Sequence, residues 1–227
     1  MTIPLGLMSS AWCRRVIIVG AGGFGREVLQ WARDAWPDHA GRIAGFLSAD
    51  PAALDGHPAR LPILGDPDTF PVQPGDGFLL AIGIPLVRRR VAERLTQRGA
   101  SFLTLVHPTA IVAETATIGA GSVICPQAVV SDAVRLGRCV LVNYHASLGH
   151  DAVAGDYTVF SPYATLGGGA VVEDDVFLGL HATVGPRVRI GAATKVSANS
   201  AALVSVPPRT LVYGVPGRTG QHVVVTP

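Results

Sequence analysis

The apolar positions change their period partway along the chain. In the first hundred residues they come in short blocks with turn formers between them. Val16 to Val19 is a four-residue apolar run and predicts a buried strand. A glycine-rich turn, Gly20 to Gly25, follows it, and a helix should open at about Gly23 to Arg26 with Val28, Leu29, Trp31 and Ala32 on its apolar side. Further strands are predicted around Arg42–Leu47, Phe78–Ile82 and Phe102–Val106, with a helix from about Pro85 to Gln97. Strands alternating with helices imply a small parallel sheet of the α/β class.

From Val106 the period becomes six. Every sixth residue is Val106, Val112, Ile118, Ile124, Val130, Leu136, Val142, Leu148, Ala154, Phe160, Leu166, Val172, Leu178, Val184, Ile190, Val196 and Ala202, all seventeen apolar. In a chain that is 48% hydrophobic, chance gives such a run about once in 10⁵ to 10⁶ trials. The residues two before them, from Ala110 to Ser200, are all Ala, Ser, Thr or Val. Turn formers such as Gly119, Gly137, Asn143, Gly155, Gly179 and Gly191 stand directly after the bulky positions. A bulky inward residue, a small one four later and a turn former describe a triangular coil. Three hexads, or about 18 residues, complete one circuit, and parallel strands stack at ~4.8 Å per coil. The run holds between five and six coils without an insertion.

The chain thus divides into a leader (1–13), a Rossmann-like α/β domain (14–105), a β-helix (106–206) and a C-terminal segment (207–227). Composition agrees: 227 residues with 27 glycines, 6% aromatics and 15% charged residues suit thin β architecture better than a helical bundle. The leader has no basic segment ahead of its apolar stretch, so a loose leader or a start at Met8 is preferred to a signal peptide. No apolar run reaches the ~20 residues of a membrane helix. A net charge of +2 and no aromatic-interleaved basic cluster argue against nucleic-acid binding. Arg88-Arg89-Arg90 reads as one face of a helix. Cys13, Cys125 and Cys139 read as reduced thiols, which fits a cytoplasmic protein.

Candidate chemistry concentrates at LGHDAVAG, Leu148 to Gly155. His150 beside Asp151 admits three readings: a base with its orienter, a metal ligand, or a solvated turn pair. A histidine is the usual group for taking a proton from an attacking amine or hydroxyl near neutral pH. One coil further, 18 residues on, stands Gly168 within Gly167-Gly168-Gly169. Missing side chains over the histidine should leave a slot where an extended thioester arm could lie. In the first domain, GAGGFG fits a phosphate cradle at a helix N-terminus. The acid that a dinucleotide site expects about 20 residues on is matched only loosely by Asp50.

These hexads resemble the left-handed parallel β-helix of the hexapeptide-repeat acyltransferases. With the closing segment PPRTLVYGVPGR and the glycine-rich domain, the chain is similar to the nucleotide-sugar N-acetyltransferases and the related sialic-acid O-acetyltransferases. The resemblance implies an N-terminal domain that holds a sugar nucleotide, acetyl-CoA as co-substrate, no metal, and a homotrimer with active sites between neighbouring β-helices. It implies His150 as proton acceptor with Asp151 and Asn143 in the catalytic set. It assigns Gly22, Gly23, Phe24, Ser48 and Gly83 to the sugar nucleotide. It assigns Val159, Gly168, Leu180, Ala198 and Arg218 to acetyl-CoA.

Three positions depart from the family's pattern. Ser48-Ala49 stands where many members carry an acidic pair. Val159 stands where many have a second histidine, and Ile84 where Asn is frequent. Transfer to a sugar hydroxyl, as in the sialic-acid O-acetyltransferases, is the alternative within the enzyme class, and two further alternatives stand outside it. One is a zinc-binding β-helix of the carbonic-anhydrase type, suggested by His145 and His181 two coils apart and by His150. The other is a non-catalytic scaffold for sugar nucleotides.

Overall fold

The computed structural model describes residues 13–58, 61–214 and 218–221. The expected leader lies outside them apart from Cys13, which is buried against Val16 and Ile18. Residues 215–217 and 222–227 of the closing segment also lie outside.

The first domain is a parallel sheet of β1 (Arg15–Val19), β2 (Ile43–Leu47), β3 (Ile63–Gly65), β4 (Asp76–Leu80) and β5 (Ser101–Phe102), in the order β3-β2-β1-β4-β5. Two helices, α1 (Gly23–Ala35) and α2 (Pro85–Gln97), cover its faces. The alternation along β1 decides which residue meets which helix. Val16 and Ile18 pack with Val28, Leu29 and Ala32 of α1, while Ile17 and Val19 pack with Val91 and Leu95 of α2. β3 escaped the sequence reading because it is only three half-buried residues.

The single strand expected at Phe102–Val106 is divided. Ser101–Phe102 completes the first sheet beside β4, while Leu105–Val106 already pairs with Val123–Ile124 of the coil. One apolar run thus serves two sheets, and the chain passes between them through Leu103 and Thr104.

The coil is a left-handed parallel β-helix of two-residue strands on three faces, with sheets of six, five and eight strands. The eight-stranded face ends in the hairpin Thr210–Tyr213 with Arg218–Gln221. Of the hexad residues, those from Ile124 to Ala202 are buried, and Val106, Val112 and Ile118 are partly buried beside them. Three small polar residues of the inner column bond backbone: Ser122 Oγ donates to Gly137 O and accepts from Val140 N–H, Thr158 donates to Glu173 O, and Thr194 donates to Pro207 O.

The glycines after the bulky positions have a different role from the one expected. The left-handed backbone lies two residues later, at non-glycine corners such as His145 (φ 59°), Asp151 (φ 59°), Tyr163 (φ 62°) and His181 (φ 54°). Such residues cost about 1–3 kcal/mol each and persist where the surroundings over-determine them. At these four corners the N–H donates to a carbonyl of the preceding coil, as Asp151 to Asp132 O at 2.9 Å and Tyr163 to Tyr144 O at 3.2 Å. The glycines are instead demanded by stacking. A Cβ on Gly179 would meet Ala198 N at 2.7 Å, and one on Gly119 would strike Gly137 of the next coil.

α2 docks on one corner of the coil. The Arg89 guanidinium bonds Asp175 at 2.8 Å and Asp174 at 3.2 Å and lies 4.4 Å over the Tyr157 ring. The three arginines do not form one face. Consecutive helical residues are 100° apart, so Arg88 points inward, Arg89 toward the coil and Arg90 outward.

Gly179→Ala is expected to lower stability by about 1–3 kcal/mol, because its neighbour is backbone that cannot yield. Gly41→Ala, with nothing within 4 Å, should be close to neutral. Thermal melts of the two variants check the contrast, and equal Tm values contradict it.

Candidate functional site

Two places in the fold carry chemistry. The first is the crevice at the C-terminal ends of β1 and β4, where the strand order reverses and open α/β sheets bind their ligands. Its glycines fall into two groups. Gly20 (φ +111°) and Gly25 are structural: a Cβ on Gly20 would meet Ala81 O at 2.6 Å, and one on Gly25 would strike Gly20 O. Gly22 and Gly83 have nothing within 4 Å of an added Cβ, and Gly23 has only Arg26 Nη2 at 3.9 Å. These three border open space at the start of α1 and beyond β4, where helix N–H groups and the dipole favour an anion.

Around this loop, Phe24 is half-buried, edge-on to Trp31 at 6.0 Å. Ser48 Oγ accepts the Asp50 N–H at 3.1 Å, and Asp50 Oδ1 accepts the Ala52 N–H at 2.9 Å. The Asp50 carboxylate is therefore engaged in shaping its own turn. Ile84 is exposed beside Gly83.

The second place is the corner after the strand Ser147–Leu148. The His150 Nδ1 lies 2.8 Å from Asp151 Oδ2, so adjacency in sequence is contact in space. The carboxylate accepts the Nδ1–H, which leaves Nε2 with its lone pair outward. The pair is 71% and 65% exposed, on a backbone that is pinned. Asp151 N–H donates to Asp132 O at 2.9 Å, and His150 O accepts the Gly169 N–H at 2.8 Å.

The expected slot above His150 is filled by the histidine itself. A Cβ on Gly168 would lie 2.5 Å from His150 Nε2 and 2.7 Å from Cε1. At a coil spacing of ~4.8 Å the imidazole leaning along the axis reaches the next coil, so a side chain at 168 would have to push the ring aside. The Gly168 N–H makes no hydrogen bond among the described residues. On the neighbouring corner the matching N–H groups are capped by carboxylates one coil on, Arg138 by Asp156 at 2.8 Å and Asp156 by Asp174 at 2.9 Å. Above Gly168 stands Pro186, which offers no such acceptor.

The remaining predicted residues lie apart from His150 within one chain. Asn143 sits at the previous corner, where its Oδ1 accepts the Tyr144 N–H at 2.8 Å. Leu180 and Ala198, both exposed, stack one coil apart near that same corner. Arg218 is exposed on the final hairpin opposite Tyr213. Val159 is 2% exposed in a cluster with Leu29, Trp31 and Ala32 of α1. Half a coil from His150, it faces the N-terminal domain, which covers it.

The zinc alternative meets a third ring. His145 and His181 share a column, with the Tyr163 ring stacked between them at 4.7 and 4.6 Å. The imidazoles face opposite sides of one phenol, and His150 stands at another corner, so the three histidines do not converge. Tyr163 was missed in the sequence, although its 18-residue spacing from both histidines could have revealed it. The cysteines are not nucleophiles: burial pushes the thiols of Cys13, Cys125 and Cys139 up, well so for Cys125, and keeps them protonated. No helix among the described residues is long and apolar enough to cross a membrane.

Comparison with known proteins meets both halves of this description. Residues 15–95 match the family model of the PglD N-terminal domain. The UDP-N-acetylbacillosamine N-acetyltransferase of Bacillus subtilis is 35% identical over 118 residues, 49% of this chain and 51% of that protein. The match thus spans about half the length of that curated relative. Solved structures extend it. PerB from Caulobacter crescentus, in complex with CoA and GDP-perosamine, superposes with a TM-score of 0.81 at 28% identity, over 93% of this chain and all of that one. WeeI from Acinetobacter baumannii gives 0.80 at 26% identity, over 90% of this chain and 99% of that one. Domain, coil and the joint between them are thus similar along nearly the whole chain to those of PerB and WeeI, and the first domain to the PglD N-terminal domain.

Proposed function

We propose that the protein transfers the acetyl group of acetyl-CoA to the amine of a nucleotide-linked amino sugar, with His150 as general base. The observation that carries this reading is the His150–Asp151 pair, held at 2.8 Å on a pinned corner with Nε2 beside Gly168. The amine nitrogen attacks the thioester carbonyl carbon while His150 Nε2 takes its proton. Asp151 fixes the tautomer and steadies the imidazolium that forms. In this reading the uncapped Gly168 N–H receives the negative charge that develops on the carbonyl oxygen. The C–S bond then breaks, and the thiolate of CoA leaves and is protonated.

In this reading Gly22, Gly23 and Gly83 border the diphosphate, and Phe24 and Ser48 the rest of the sugar nucleotide. Leu180, Ala198 and Arg218 line the path of CoA. One chain leaves these groups and Asn143 apart from His150. A homotrimer about an axis parallel to the coil brings the corner of one subunit against the His150 corner of the next. Acetyl-CoA and sugar nucleotides make the cytoplasm the place of action. The relatives act on amino sugars by name, UDP-N-acetylbacillosamine and perosamine, which favours N-acetylation over the O-acetylation of sialic-acid type.

His150→Asn should lower kcat by roughly 10²–10⁴ while CoA affinity and trimer formation survive, and Asp151→Asn should cost less. Steady-state kinetics with acetyl-CoA and amino-sugar nucleotides check this, and near wild-type turnover of His150→Asn at pH 7 contradicts it. Gly168→Ala should displace the imidazole and lower kcat at least about tenfold at little cost in Tm, because the displaced group is the end of an exposed side chain. Gly23→Asp should raise KM for the sugar nucleotide far more than for acetyl-CoA, since a carboxylate meets the diphosphate. Equal effects on both KM values would show that the loop is only structural.

A further inference from the structure

Arg88 is the largest fully buried side chain described in the molecule, 0% exposed. It stands in the first turn of α2, where the helix dipole disfavours a cation. Its guanidinium donates to three backbone carbonyls: Nε to Cys139 O at 2.6 Å, and Nη1 to Leu80 O at 2.7 Å and Ile82 O at 3.0 Å. Nη2 is buried with no hydrogen-bond partner among the described residues. The groups whose charge it would feel are Cys139, Cys125 and Tyr157. Burial pushes each of these upward, so none is ionised at neutral pH. Desolvation lowers Arg88 only to about 10, and it remains a cation at pH 7.

Stability alone does not call for this arrangement. A buried charge without a counter-charge is costly, and packed apolar residues of similar volume commonly serve a core as well or better. What distinguishes the site is what the carbonyls belong to. Leu80 and Ile82 flank Ala81, at the exit of β4 just before Gly83. Ala81 N–H bonds Val19 O at 2.9 Å, and Ala81 O lies where a Cβ on Gly20 would come within 2.6 Å. Both loops of the crevice therefore rest on the segment that Arg88 holds, and the third carbonyl ties that segment to a corner of the coil.

Resting on the nucleotide-sugar reading above, we infer that Arg88 is a positioning residue for the anionic part of the sugar nucleotide. It fixes the 81–84 loop in its binding shape and leaves an unneutralised positive charge behind the crevice. A low-dielectric wall transmits that charge to a bound diphosphate with little screening. Arg88 touches neither sugar nor thioester. Its effect should appear in binding of the diphosphate and be absent from binding of CoA.

The test is calorimetric titration of UDP, GDP, dTDP and CDP into the full-length protein, with CoA as a parallel ligand. For whichever nucleotide binds wild type, Arg88→Met should weaken binding about tenfold or more and leave CoA binding unchanged. Arg88→Lys, which keeps the charge but loses the fork, should recover part of the loss. Equal diphosphate affinity in wild type and Arg88→Met overturns the inference while the nucleotide-sugar reading stands. Absence of binding of all four diphosphates to wild type overturns both. If Arg88→Met fails to fold, the wild-type protein decides. Its slowly exchanging Arg88 Nε–H resonance, assigned by its loss in Arg88→Lys, should shift on adding the nucleotide and stay in place with CoA. A resonance that the nucleotide leaves unmoved overturns the inference.

Discussion

The stacking of one coil on the next is the constraint from which the rest of the structure follows. The left-handed corners from Cys139 on give their N–H to a carbonyl of the coil before, and Gln127 and Ala133 to a threonine hydroxyl there, so side chains 18 residues apart stand over one another. The spacing is too small for most of them. Where a Cβ would run into the next coil's backbone the residue is glycine, as at Gly119 and Gly179. Where flat rings can stack they do, as in His145, Tyr163 and His181. Where a histidine leans along the axis, glycine in the next coil leaves its ring in place, which is the relation of Gly168 to His150.

The reactivity proposed for this corner comes from placement. His150 and Asp151 lie open on the surface, and their precision comes from a backbone bonded on both sides. For the proposed base a ladder is a firmer mount than a loop, because the backbone that carries it is bonded to the coils on both sides. The crevice at the glycine loop lies in a separate element, the parallel sheet. It is coupled to the coil by the pairing of Leu105–Val106, by Arg89 on Asp174 and Asp175, and by Arg88 across three carbonyls. In the proposed reaction the sheet holds the acceptor sugar and the coil holds the base and the thioester.

The coil was legible in the sequence because one residue in six must face a narrow interior. The residues it buries from Ile124 to Ala202 are those the period named. The pairing of His150 with Asp151 was legible as a possibility, and contact required the corner geometry. Other features depended on what stands beside a residue in space. The glycine columns looked like turn formers because sequence shows the turn and not the coil above it. The slot over His150 looked empty because a side chain's lean is not written in its own position. Arg88 looked like one charge among three on a helix. Only burial against the coil separates it from Arg89 and Arg90.

The central claim is that this corner acetylates an amine, and product analysis tests it most directly. The protein is incubated with acetyl-CoA and a panel of UDP- and GDP-linked 3-amino and 4-amino sugars, alongside the matching hydroxy sugars. Thiol release and the mass of the sugar nucleotide are followed together. The account predicts one thiol released for each acetyl group gained, on an amino sugar and not on its hydroxy counterpart. Acetylation of the hydroxy sugar alone, or no transfer to any amine in the panel, would contradict it.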